Sequence, residues 1–234
     1  MKYMKHYYPK FDMFKTLFNK NNPVIIEVGA HYGEDSLRFS EAFEQAKIYC
    51  FEPDPRNIKI FKKYVNKDNI KLFECALSNK SGEQEFFQSY DETQTSSVPS
   101  KYDWISLTDY QKNLLSNSGS SSLKRGYNKV LSKSIIVKTQ RFDQWYDENS
   151  VSDIDLMWID VQGAEKEVLE GIGNKIKNIK FIWLEYGEKE YTGALTALET
   201  ILLLRSKNFE IKENFPTGEN TGDLLFYNTK NGPS

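Results

Sequence analysis

The sequence predicts an α/β protein built on a mostly parallel sheet. Short apolar runs alternate with helix-period segments from Val24 to Cys75, and again from Ile154 to Leu202. Two last runs, Phe209–Ile211 and Leu224–Phe226, flank the turn Pro216-Thr217-Gly218 and read as a closing antiparallel pair. Alternation of this kind implies parallel strands joined by right-handed crossovers.

Residues 1–20 read as a helical lead-in rich in Tyr and Phe. Val24–Val28 is a short buried-strand run ending at Gly29. Residues 34–46 carry Phe39, Ala42, Phe43 and Ala46 at helical spacing. Lys47–Phe51 is a second strand, closed by Pro53 and Pro55, and Ile58, Phe61 and Val65 mark a second helix. Ile70–Cys75 is a third strand. Between the two α/β stretches, Gln84–Gln88 and Ile135–Val137 have strand character and should pair. Residues 89–133 between them are serine-rich and polar, and read as a loop-rich insertion or lid. Ile154–Ile159 and Ile179–Leu184 are strongly apolar strands. Ala164, Val168, Leu169 and Ile172 form the face of the helix between them, and Leu195, Leu198, Ile201 and Leu202 form a later one.

The chain of 234 residues is long enough for one domain with a full core, and we read residues 1–234 as one. Apolar residues make up 39% and charged residues 27%, with a net charge of −2, so nothing global drives binding to nucleic acid or anionic membrane. No apolar run approaches the ~20 residues that span a bilayer. The N-terminal residues show no h-region or cleavage site, and we expect a cytoplasmic protein. Cys50 and Cys75 fall in strand-like runs and read as buried free thiols.

Two phrases carry chemistry. VIIEVGAHYGEDS, at 24–36, is an apolar run, an acid and a glycine bend before a helix. YCFEPDP, at 49–55, places Glu52 at the end of the next strand. A glycine there lets backbone approach a ligand closely. Gly29 and Gly33 do not have the G-x-G-x-x-G spacing, so the pyrophosphate cradle of a dinucleotide site is missing and a phosphate-free cofactor fits better. Glu52 would accept hydrogen bonds from ribose hydroxyls, at ~1.5–3 kcal/mol for each charge-assisted bond. Glu27 would hold the amino group of an amino-acid cofactor or order the turn.

The order EVGAHYGEDS, FEPDP, CALSNKSGEQEFF and WIDVQGAEKEVLEG, over roughly residues 24–187, resembles the FkbM family of S-adenosylmethionine-dependent methyltransferases. The resemblance implies a class I methyltransferase sheet, Rossmann-like and seven-stranded, with helices on both faces. It implies S-adenosyl-L-methionine as cofactor and O-methylation, often of sugar hydroxyls. Carried over by motif, Glu27, Gly29, Ala30, Gly33 and Ser36 would surround the methionine part, Glu52 would bind the ribose, and Ala76-Leu77-Ser78 would lie by the adenine. The family usually has Asp and Asn where this chain has Glu27 and His31.

Methyl transfer to a hydroxyl needs the acceptor oxygen ~3–3.5 Å from the methyl carbon and gains from a nearby base. Asp160 ends one apolar strand and Glu185 the next, on the same sheet edge. They are expected to share base duty or bind sugar hydroxyls, and Asp160 to border the cofactor. A divalent metal on these oxygens is the lesser reading, and no metal is expected. His31, in the first turn, is a further base candidate. Glu165 and Gln162 are equally explained as helix and turn capping. Lys124, Arg125, Lys129, Lys133, Lys138 and Arg141 form a basic stretch, either a solvated face or a site for an anionic sugar or glycan acceptor. Tyr102, Trp104 and Tyr110 could stack on sugars, whereas Trp145, Trp158 and Trp183 read as core. A homodimer is compatible with this reading.

Two alternatives stay open: an RNA ribose 2′-O-methyltransferase and a non-catalytic cofactor-binding protein. The first would need two lysines beside Asp160 and Glu185 that the sequence does not place. An adenine-amino enzyme would need Asn/Asp-Pro-Pro-aromatic where this chain has Asp160-Val161-Gln162-Gly163.

Overall fold

In the computed structural model, described over residues 10–90, 104–106, 118–126, 131–187 and 191–231, the apolar runs become strands in the predicted order. A first helix, α1 (Lys10–Phe18), leads into β1 (Val24–Val28), α2 (Glu34–Ala42), β2 (Lys47–Phe51), α3 (Pro55–Tyr64) and β3 (Ile70–Phe73). Then come β4 (Ala76–Leu77), β5 (Gly82–Tyr90), β6 (Leu131–Gln140) and α4 (Phe142–Glu148). The second α/β stretch is β7 (Ile154–Ile159), α5 (Glu165–Ile172), β8 (Ile179–Gly187) and α6 (Ala197–Arg205), closed by β9 (Phe209–Pro216) and β10 (Thr221–Asn228).

Seven strands form one sheet in the order β3-β2-β1-β7-β8-β10-β9. The neighbours from β3 to β8 pair in parallel, and β10 runs antiparallel between β8 and β9. This is the seven-stranded sheet with an antiparallel terminal hairpin that the sequence led us to expect. The chain winds outward from β1 to β3 and then resumes at β7 on the other side of β1. The crevice beyond the carboxyl ends of β1 and β7 is therefore the topological switch point, where open α/β sheets bind ligands.

Period-two alternation sends the strand side chains to two cores. On one face Ile25, Cys50, Leu156, Trp158 and Trp183 pack with Phe14, Phe39 and Phe61 of α1, α2 and α3. Trp158 and Trp183, paired across β7 and β8, stack at 4.6 Å. On the other face Ile26, Val28, Met157, Ile159 and Leu184 pack with Trp145, Val168 and Leu204 of α4, α5 and α6. Each fully buried side chain of this size contributes ~1.5–3 kcal/mol. Both cysteines are free and buried, as expected.

The structure corrects several boundaries. The helix read over 34–46 ends at Ala42, and Phe43 and Ala46 close a turn with a 3.0 Å backbone bond. The third strand stops at Phe73. Ala76 and Leu77 leave the main sheet and pair with Thr139 and Gln140 in a second sheet, ordered β4-β6-β5. The expected pairing of Gln84–Gln88 with Ile135–Val137 is there but longer, from Gly82↔Thr139 to Tyr90↔Leu131, so the insertion read as 89–133 begins and ends in strand. Helix α4 was not foreseen. Its Trp145 ring meets Tyr49, Phe51 and Phe73 edge-on, with centroids 5.0–5.2 Å away. Residues 1–9, with His6, and Lys129, Tyr102 and Tyr110 lie outside the described residues. Trp104 packs edge-on against Tyr64 at 5.9 Å, in a small cluster with Tyr32, Ile60 and Ile105.

Candidate active site

The bend after β1 turns on two residues with left-handed backbone, Gly29 (φ 87) and His31 (φ 49), and Gly33 (φ 90) caps α2. The glycines are required by the protein's own packing. A Cβ on Gly29 would lie 1.8 Å from the Asp160 carbonyl oxygen, and one on Gly33 would lie 2.5 Å from Val65 Cγ2. Close approach is thus real, but its partners here are β7 and α3. Gly29 and Ala30 both donate their N–H to the Phe51 carbonyl, at 2.9 and 3.0 Å, which ties the bend to the end of β2.

Glu52 sits at that end, as the sequence implied. Its carboxyl is buried and accepts from the backbone N–H groups of His31 and Asp54, both at 2.8 Å, and from Asn57 Nδ2 at 3.1 Å. It therefore links the β1 bend to the β2 turn. Burial pushes its carboxyl up to about 7, against the opposing pull of the Asp54 N–H and His31. His31 Nδ1 meets Glu34 Oε1 at 2.9 Å, so a neutral ring carries its proton on Nδ1 and its lone pair on Nε2. Glu34 also accepts the Tyr32 N–H at 3.1 Å, and the His31 and Tyr32 rings stack at 3.7 Å.

Glu27 faces α2. It accepts from the Ser36 hydroxyl in a short hydrogen bond and from the Cys50 thiol at 3.4 Å. Burial holds its carboxyl well above the ordinary range. Ser36 is fully buried beside it. Ala76 and Leu77 lie buried on the second sheet, next to the end of β3.

Asp160 directly follows β7 and lies beside Glu185 of the neighbouring strand. Glu185 does not end that strand as expected, because β8 runs on to Gly187 through its pairing with β10. Gln162 Nε2 bridges them, 2.7 Å from Asp160 Oδ1 and 2.7 Å from Glu185 Oε2. The two carboxyls also interact directly. The Asp160 charge and then burial raise Glu185, while burial raises Asp160. Like charges this close cannot both ionise cheaply, so the pair retains one proton. Gln162, Glu165, Glu185 and Tyr191 line a small pocket together with Gly163, Gly187, Ala194 and Leu195. Glu165 accepts the Gly163 N–H at 3.0 Å, and burial pushes it up to about 7.

Residues 118–126 of the insertion cover this turn. Ser122 Oγ donates to the Val161 carbonyl at 3.2 Å, Lys124 pairs with Glu167, and Thr192 N donates to the Arg125 carbonyl at 3.0 Å. The same segment reaches the β2 side, where Arg56 bonds Ser121 Oγ at 3.1 Å and the buried Asp54 at 2.6 Å. Lys124 and Arg141 of the basic stretch are thus engaged, the latter by Asp143 at 2.5 Å. Sequence reasoning missed Asp35, in the first turn of α2, whose carboxyl burial lifts to about 6 despite the Arg38 ion pair at 2.6 Å. It also missed Tyr191, whose only sequence signal is its place a few residues beyond β8.

The donor set tests what could bind at the switch point. A dinucleotide would place its pyrophosphate at the N-terminus of α2. Here that turn carries Glu34 and Asp35, flanked by Glu52 and Asp160, and would repel it. A cationic, phosphate-free nucleoside suits these carboxyls, and S-adenosylmethionine carries both a sulfonium and an ammonium group.

Comparison with known proteins defines the class. The Methyltransferase FkbM domain matches residues 27–211. The chain belongs to the FkbM family of methyltransferases, which use S-adenosylmethionine. It is 34% identical to the 2-O-methyltransferase NoeI of Sinorhizobium fredii over 218 residues, covering 92% of this chain and 83% of that protein. It is 27% identical to the methyltransferase sdnD of Sordaria araneosa over 163 residues, covering 65% of this chain and 61% of that one. Among solved structures it is similar to M. capricolum TrmK in complex with S-adenosyl-homocysteine, at 11% identity and a TM-score of 0.48, over 97% of this chain and 71% of that one.

Proposed function

We propose that this methyltransferase acts on a hydroxyl of a neutral sugar or glycan, with Asp160 as base and Glu185 as its proton-sharing partner. The observation that carries the reading is the Asp160–Gln162–Glu185 bridge, set between the switch-point crevice and the pocket beside β8. Gly29, Ala30, Gly33 and Glu52 would hold the methyl donor. Their role needs Glu52 to accept ribose hydroxyls with the lone pairs that its backbone bonds leave. Glu27 and Ser36 would act from beneath, by fixing α2 against β1.

Bound S-adenosylmethionine supplies a methyl group on a positively charged sulfur. The chain's own residues orient the acceptor and take its proton. With one proton shared by the pair, the carboxylate that remains can, at Asp160, accept the hydroxyl proton as the oxygen–carbon bond forms and the carbon–sulfur bond breaks. Glu185 can meanwhile donate to a neighbouring sugar oxygen. Asp160, Glu165, Glu185 and Asp223 crowd this edge with acids, as their mutual influence records. An anionic acceptor would be repelled, so a neutral one is favoured over the uronic or phosphorylated sugar that the basic stretch suggested. NoeI, by its name a 2-O-methyltransferase, supports oxygen as the receiving atom.

A labelled-methyl transfer screen tests the reading, using neutral glycosides, uronates, nucleotide sugars and RNA. Labelling of neutral glycosides alone is expected. Labelling confined to RNA or uronates would overturn it.

A further inference from the structure

We infer that Gln162 is a positioning residue, which holds Asp160 and Glu185 in their singly protonated state, and that Tyr191 fixes the direction its amide faces. The inference rests on the reading of Asp160 as base.

The geometry is specific. Gln162 has φ 54, a left-handed conformation that non-glycine residues keep only where their surroundings impose it. A carboxamide nitrogen carries two hydrogens, and here each has its own carboxyl acceptor at 2.7 Å. On the other side of the amide, Tyr191 Oη lies 3.0 Å from Gln162 Oε1 as donor. A flipped amide would aim its oxygen at two carboxyls. The phenol is placed by its neighbours: Oη is also 3.1 Å from the Ser120 carbonyl, and Gly163 leaves room for the ring, since a Cβ there would lie 2.4 Å from Tyr191 Cβ. One chain of contacts thus runs from the insertion through Tyr191 and Gln162 to both acids.

Charged groups face the pair from every side. Asp223 stands opposite Glu185 on β10, Glu165 opens α5, Asp35 faces Asp160 from the first turn of α2, and His31 lies on the β1 bend. The acids favour a second proton on the pair, and His31 and the Gln162 amide oppose it. Without the amide, the second proton binds at higher pH and Asp160 loses its carboxylate nearer neutrality.

The test is a titration of the side-chain carboxyl carbons by 13C NMR on the full chain, with Asp160→Asn and Glu185→Gln assigning the resonances. In Gln162→Leu the lower apparent pKa of the pair should rise by about one unit or more, the loss of one charge-assisted bond. Tyr191→Phe should move it the same way by less. An unchanged or lowered value in Gln162→Leu overturns the inference. Should that variant melt below the assay temperature, Tyr191→Phe decides alone: a rise supports the inference and no rise overturns it. Methyl transfer separates the two layers. Parental rates in Asp160→Asn remove the base itself, whereas a slow Asp160→Asn with an unshifted Gln162→Leu titration removes only the role of Gln162.

Discussion

Gly29 and Asp160 meet backbone to backbone. The Asp160 N–H donates to the Val28 carbonyl at 2.9 Å, and the Asp160 carbonyl oxygen fills the place of a Gly29 side chain, 1.8 Å from where a Cβ would stand. The end of β7 closes directly on the bend after β1. The candidate base and the candidate cofactor turn are therefore one rigid piece of backbone, positioned by the sheet itself.

Gly29→Ala should lose ~2 kcal/mol or more, because it adds both a left-handed alanine and a collision with backbone that cannot swing away. Denaturant unfolding measures this. Parental stability would mean that the β1–β7 contact is looser than described.

Asp155 anchors the opposite edge. It is buried, accepts the Val24 N–H at 2.8 Å, and pairs with Lys20 at 2.6 Å and Lys180 at 2.9 Å. Asp155→Ala strips a buried backbone donor and two cations of their partner, and should cost about 2–4 kcal/mol. A shift in denaturation midpoint with unchanged slope is the expected signature, and no shift would contradict it.

Stability should fall as pH rises. Folding lifts Asp35 from 3.8 to about 6 and Glu52 and Glu165 from 4.5 to about 7, so the folded chain binds more protons than the unfolded chain across that window. The stabilisation is whole below the unfolded values and lost through the folded ones, at about 1.4 kcal/mol per unit of displacement. Asp143, lowered beside Arg141, works in the opposite sense but below 3.8, outside the window. The melting temperature without cofactor should be higher at pH 5.5 than at pH 8, and Glu27→Gln should flatten the trend. A protein more stable at pH 8 would contradict these assignments.

Asp160→Asn should keep affinity for S-adenosylhomocysteine and slow transfer by about 10²–10⁴-fold, the usual worth of a positioned base. Rates on any acceptor found in the screen decide it, and a parental rate would exclude Asp160 from proton transfer.

Most of the sheet was legible because its strands are unbroken apolar runs bounded by Gly and Pro. Val24–Val28, Lys47–Phe51 and Ile154–Ile159 match to the residue. Two strand-tip acids were legible for the same reason, since Glu52 and Asp160 follow directly from where the apolar runs end. Glu185 also follows its apolar run, but β8 continues to Gly187 because β10 pairs with it. Partners contributed from afar were not. Ser36 and Cys50 meet Glu27 only through the packing of α2 on β1 and β2, and Tyr191 reaches Gln162 across 29 positions. Nor could spacing show that the Asp160 carbonyl fills the space a Gly29 side chain would take. Ala76-Leu77 continued an apolar run, yet hydrogen bonding to β6 drew it into a second sheet.

The grip of Glu52 on the methyl donor is tested most directly by calorimetry with S-adenosylhomocysteine on Glu52→Gln and Glu52→Ala, with melting curves as the control for folding. Ribose binding through this carboxyl calls for a loss of affinity of about tenfold or more in Glu52→Gln, one charge-assisted bond, and no measurable binding in Glu52→Ala. A folded Glu52→Ala that binds like the parent would contradict it.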